Sequence, residues 1–182
     1  AAKARLIADP TGEGIARADV VIEAIVERVE VKQSLFKGIE GKLKPGAVLA
    51  SNTSSIMIED IAKGLADPGR LIGIHFFNPV SRMMLVEVVH GRDTARRIVS
   101  AASAFVRQID KLPLPVKSAP GFLVNRILAP YMMAAFRAVD EGIAPETVDE
   151  AALAVGLPMG PIELADTVGR DICVAVGKML TP

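Results

Sequence analysis

Apolar and polar positions along the 182-residue chain follow two successive regimes, strands alternating with helices in the first two thirds and helical spacing alone thereafter. The mostly apolar run at 19–27 (Asp-Val-Val-Ile-Glu-Ala-Ile-Val-Glu) has strand length and fits a strand covered on both faces. Val31, Leu35, Ile39 and Leu43 recur at every fourth position, which predicts an amphipathic helix over 29–43, stopped by Pro45-Gly46. A strand at 47–50, a helix at 56–65, a strand at 71–77 and a helix at 93–109 follow, the last with Ala95, Ile98, Ala102, Phe105 and Ile109 on one side. Upstream, 4–8 reads as a short strand ended by Asp9-Pro10-Thr11-Gly12. Strands that alternate with helices specify an α/β, doubly wound, largely parallel sheet, in which ligands sit beyond the carboxyl ends of the strands.

Pro113 and Pro115 hold residues 112–117 extended, and Ser118-Ala119-Pro120-Gly121 marks a domain boundary. Beyond it, 122–140, 145–155 and 161–179 read as helices separated by Gly142, Gly156 and Pro158-Met159-Gly160-Pro161. The chain thus divides at 117/118 into a sheet domain with a terminal antiparallel hairpin and an all-α domain. Pro130 should kink the first of these helices or cost it a hydrogen bond. Met132, Met133 and Met159 read as core filler and His90 as a solvated strand end.

The stretch from Leu71 to Gly91 is strand, turn, strand. With the turn centred on Ser81, His75 and Glu87 face each other across the pair, and directly opposed Cβ atoms lie about 4.5–5.5 Å apart. An imidazole and a carboxylate within reach form an acid/base pair. The plainer reading is a core histidine satisfied by its neighbours, yet a carboxylate among Leu85, Val86, Val88 and Val89 is costly unless paired. Three polar groups stand at expected strand ends: Glu27 with Lys32, Ser51-Asn52-Thr53-Ser54-Ser55, and His75 with Asn78. Ser55 reads as a helix cap; for Asn52 and Ser54, capping and ligand binding are both open, and Glu27 with Lys32 also fits a surface ion pair. Asn125 is the polar member of a stripe completed by Leu128, Met132, Ala135 and Val139, and the spacing alone favours a structural role there, with a helix–helix contact supplying the partners its amide needs.

Composition narrows the field. Lys plus Arg and Asp plus Glu are equal at 21 each, so there is no electrostatic footprint for nucleic acid or a membrane surface. One cysteine and two histidines argue against a Cys/His zinc site. No apolar run approaches the roughly 18 residues of a membrane span. Gly12-Glu13-Gly14 is rejected as a dinucleotide fingerprint, because a third glycine is lacking and Glu13 would repel a pyrophosphate. Asn52-Thr53-Ser54 matches a glycosylation sequon that, without a secretory signal, is put down to chance.

Six stretches in one order carry a resemblance: Val-Ile-Glu-Ala-Ile-Val-Glu (21–27), Ala-Ser-Asn-Thr-Ser-Ser (50–55), His-Phe-Phe-Asn-Pro (75–79), Leu-Val-Glu-Val-Val (85–89), Pro-Gly-Phe-Leu-Val-Asn-Arg (120–126) and Gly-Leu-Pro-Met-Gly-Pro (156–161). Together they resemble the L-3-hydroxyacyl-CoA dehydrogenases, and Arg82-Met83 with Asp166-Thr167-Val168-Gly169 looks most like the dehydrogenase part of multifunctional fatty-acid oxidation proteins. The resemblance implies a partial Rossmann-type NAD domain over 1–117, lacking its first strands, and a helical domain over 118–182. It also implies His75 as general acid/base, Glu87 as the carboxylate that orients it, Ser54 and Asn125 on the substrate's 3-oxygen and thioester, and Glu27, Lys32, Asn52, Ser54 and Asn78 along NAD.

The implied reaction interconverts L-3-hydroxyacyl-CoA and 3-oxoacyl-CoA in fatty-acid β-oxidation, with an acyl-CoA as substrate and a homo-oligomer, or a larger multifunctional chain, as the assembly. A bacterial cytoplasmic setting is expected, with mitochondrion and peroxisome as alternatives. The family's Gly-x-Gly-x-x-Gly segment has no counterpart here, so the chain is expected to be an inactive, N-terminally truncated piece with an open apolar sheet edge. Competing readings are an NAD-dependent dehydrogenase of another hydroxy acid and a non-enzymatic helical assembly module.

Overall fold

The structure is a computed structural model describing residues 3–169 together with 173, 174 and 177. Five strands form one sheet in chain order: β1 (Val20–Glu23), β2 (Val48–Ser51), β3 (Leu71–Phe76), β4 (Leu85–His90) and β5 (Leu112–Lys117). The first three are parallel, as alternation with helices requires; β4 returns antiparallel to β3, and β5 runs parallel to β4. Residues 112–117, expected only as an extended connection, thus add a fifth strand, and its outermost place in the sheet accommodates Pro113 and Pro115.

Side chains alternate across the pleat. Val48, Ala50, Ile72, Ile74, Val86 and Val88 pack with Ile98, Ala102 and Val106 of α3 (Arg96–Gln108). Leu49, Leu71 and Val89 pack with Phe36 and Ile39 of α1 (Val29–Ile39), Ile58 and Ile61 of α2 (Ile58–Ala62), and Phe122. Helices therefore cover both faces. Gly73 permits the close approach on the second face, since a Cβ there would stand 2.8 Å from that of Val89. The helical part contains α4 (Val124–Asp140), α5 (Pro145–Ala154) and α6 (Pro161–Val168).

Several expectations are corrected. Residues 4–8 make no strand: a 3-10 turn spans Lys3–Arg5, Leu6 and Ile7 are exposed, and the Asp9 carboxylate folds the chain over by accepting from Glu13 and Gly14 N–H. The strand expected over 19–27 stops at Glu23, whose own carboxylate accepts the Ile25 N–H at 2.6 Å and draws the backbone out of the ladder. The helix expected over 56–65 shrinks to α2, because the Thr53 hydroxyl captures the N–H groups of Ser55 and Ile56.

On α3 the buried stripe is Ile98, Ala102 and Val106, while Ile109 terminates the helix half-exposed. Met133 is exposed rather than core. Helix α4 continues through Pro130, losing the bond its missing N–H would make. Of the helix expected over 161–179, the part after Gly169 lies outside the described residues save for 173, 174 and 177. No helix among the described residues is long and apolar enough to cross a membrane.

Candidate active site

The sheet register places His75 directly opposite Glu87, with a hairpin symmetrical about Ser81. Nδ1 of His75 lies 2.8 Å from Oε2 of Glu87, and the two residues are 6% and 0% exposed. The other carboxylate oxygen, Oε1, accepts the N–H groups of Leu123 and Val124, each at 2.9 Å, at the start of α4. Burial pushes the Glu87 carboxyl up, but the bonds from His75, Val124 and Leu123 and the attraction of the imidazole outweigh it and hold the group below its ordinary value. An ionised carboxylate only accepts, so Nδ1 donates in this bond and Nε2 is the ring nitrogen left for a substrate. Phe77 and Phe122 flank the ring, with centroids 4.5 and 5.6 Å away.

A second cluster occupies the carboxyl ends of β1 and β2. Glu23 faces Ser51 in register and accepts from its hydroxyl at 2.6 Å, while Lys32 Nζ of α1 donates to Glu23 at 2.6 Å and stands 3.2 Å from Glu27. The Lys32 and Glu23 side chains are each 1% exposed, a buried pair, whereas in the expected pair with Glu27 only Lys32 is buried and the Glu27 side chain is 37% exposed. Glu27 in turn accepts the Thr53 hydroxyl, the Ser54 and Ser55 N–H groups and the Ser55 hydroxyl. Burial opposes its ionisation, but the Thr53 bond, Lys32 and Ser55 together keep its carboxyl below the ordinary value.

The loop after β2 is therefore anchored on Glu27, and Ser55 does not cap α2 as expected; the Ser118 hydroxyl, just after β5, accepts the Ile58 N–H instead. Asn52 Oδ1 accepts the Phe76 N–H, tying the ends of β2 and β3 together. Ser54 and Asn78 are exposed, and Asn125 is half-buried in the first turn of α4. A groove of about 550 Å³ runs past Glu27, Gln33, Ser55, Met57, Asp60 and Pro120.

Three contributors escaped the sequence reading. Glu23 carried a usable signal, a carboxylate in an apolar run with Lys32 nine residues on, the same logic that exposed Glu87. Neither Phe122 nor Ser118 carried one, because their partners lie far away in sequence. Among the described residues no group of His, Cys, Asp and Glu is placed to hold a metal.

Residues 2–119 match the NAD binding domain, and residues 121–181 the C-terminal domain, of 3-hydroxyacyl-CoA dehydrogenase. The chain belongs to the 3-hydroxyacyl-CoA dehydrogenase family. It is 44% identical over 174 residues to the 3-hydroxyadipyl-CoA dehydrogenase of Escherichia coli, covering 94% of this chain and 37% of that one. To the fatty acid oxidation complex subunit alpha of Pseudomonas putida it is 43% identical over 156 residues, covering 86% of this chain and 22% of the other. The crystal structure of (S)-3-hydroxybutyryl-CoA dehydrogenase from Ralstonia eutropha superposes with a TM-score of 0.92 at 40% identity, over 98% of this chain and 64% of that one. The chain thus spans less than two thirds of the length of each of these relatives. The relative named as a dehydrogenase and the one named as a fatty acid oxidation complex subunit differ by one percentage point in identity to this chain, 44% against 43%.

Proposed function

We propose that the protein carrying this chain oxidises L-3-hydroxyacyl-CoA thioesters to 3-oxoacyl-CoA with NAD, and runs the reverse reaction, as a step of fatty-acid oxidation. The observation that carries the proposal is the buried His75–Glu87 pair at 2.8 Å, set on the sheet beside exposed polar strand ends. Oxidising a secondary alcohol requires a base for the hydroxyl proton, and histidine's ordinary pKa of about 6.5 suits transfer in either direction near neutrality. His75 takes that proton on Nε2, since Nδ1 is committed to Glu87, and Glu87 offsets the charge of the imidazolium that forms. Ser54 and Asn125 position the 3-oxygen and the thioester carbonyl.

NAD, when bound, supplies the hydride acceptor. Polar groups converging at the carboxyl ends of β1 to β3 fit a nucleotide there, and the holders in this chain are Glu27, Asn52, Ser54 and Asn78, with Lys32 serving from beneath by fixing Glu27. The reading includes a division of labour between residues 1–117 and 118–182, a bacterial cytoplasmic setting, and a homo-oligomer formed through the helical part.

The test is NADH formation by the complete polypeptide with L-3-hydroxybutyryl-CoA, against free 3-hydroxybutyrate and a sugar acid. Turnover confined to the thioester is expected, and preference for a free acid would refute the substrate class. His75→Gln and Glu87→Gln should each cut turnover at least about a hundredfold, the usual cost of removing an acid/base group. Near-wild-type rates in either variant would refute the roles given.

A further inference from the structure

The turn leading into α4 holds two consecutive residues in the left-handed region, Gly121 at φ 71° and Phe122 at φ 52°. Glycine adopts that conformation freely, whereas in any other residue the Cβ is crowded against the backbone there. Phe122 is nonetheless 2% exposed, with its ring edge-on to His75, and the next two amides, Leu123 and Val124 N–H, both point at Glu87 Oε1. A phenylalanine that merely filled the core would need no strained backbone. Glycine or asparagine would make the same turn more cheaply but would leave the imidazole and carboxylate open to water. Strain kept at one residue, with a ring against the base and two amides on the base's partner, is explained by neither packing nor chain reversal alone.

We propose that Phe122 is a positioning residue for proton transfer at His75: its ring seals the His75–Glu87 bond from water, and its left-handed backbone aims two N–H groups that lock Glu87 in place. The inference rests on the reading of His75 as the acid/base group. Water admitted beside the pair would compete for both partners in a site where low polarity strengthens their bond, and the imidazole would lose its aim. The residues assigned to NAD lie on other elements and are untouched by the change.

The test uses the complete polypeptide and the proton NMR resonance of the His75 Nδ1–H, which a buried bond to a carboxylate moves far downfield. In unsubstituted protein the resonance should be visible in water, and in F122A it should broaden away by exchange. Turnover of F122A should fall at least about tenfold with KM for NAD within about twofold, the pattern of lost alignment rather than lost binding. F122L, which keeps an apolar cap, should retain the resonance and turnover within about threefold.

Persistence of the resonance in F122A, or its loss through fast exchange in the unsubstituted protein, would overturn the proposal; the second measurement stands even where F122A does not fold. The absence of turnover in the unsubstituted protein counts against the functional reading, and an undisturbed resonance in F122A against this inference.

Discussion

Glu87 joins two parts of the chain that sequence separates by more than thirty residues, through one oxygen to His75 and the other to the amides that open α4. Because the folded protein holds this carboxyl below 4.5, the stability it contributes is present above about 4.5 and lost as pH falls through the depressed folded value. Denaturant titrations of wild type and Glu87→Gln at several pH values should therefore show a stability difference that is largest at neutral pH and shrinks below about 4.5. A difference constant across that range would contradict the assignment. The opposition of His75 and Glu87 was legible in the sequence, since a short hairpin's register depends only on where its turn lies. The second pair of contacts to Glu87 was not, because nothing local ties Leu123 to a strand.

At the scale of elements, β1 and α1 are pinned by the buried Glu23–Lys32 pair, and the loop after β2 hangs from Glu27 above it. Removing one member of such a pair strands a charge in the interior, which costs about 3–5 kcal/mol. Lys32→Met should lose that much in urea unfolding, and the double variant Glu23→Leu with Lys32→Met should recover part of it; a single variant within about 0.5 kcal/mol of wild type would show the pair to be dispensable. Among elements whose signal is periodic, α4 emerges close to its expected span, while α1 starts where expected and ends at Ile39, a 3-10 turn at Glu40–Lys42 taking the chain on towards Leu43. Those that a side chain cuts short, β1 by Glu23 and α2 by Thr53, were overestimated, since periodicity does not report where a carboxylate or hydroxyl will take a backbone N–H.

For the whole molecule, the sheet buries a core on each face, while the helical part leaves Ile127 at 62%, Met133 at 59% and Val155 at 80% exposed. Apolar side chains of that size in the open support the self-association included in the proposed function. Sedimentation of the complete polypeptide should give an oligomer, and Ile127→Asp should shift it towards the monomer; a wild-type monomer would remove this part of the reading.

Alternation of strands and helices, the hairpin with its facing acid and base, and the switch to helices after the Pro-Gly turn near 120 were all set by local pattern, because each follows from the spacing of apolar residues or the chemistry of one turn. The order of the sheet edge, the burial of Lys32 against Glu23, the capping of α2 by Ser118 and the enclosure of His75 by Phe122 depend on contacts between segments distant along the chain. Such contacts are selected by packing and by the cost of leaving a buried charge or amide unpaired, quantities that exist only once the faces have met.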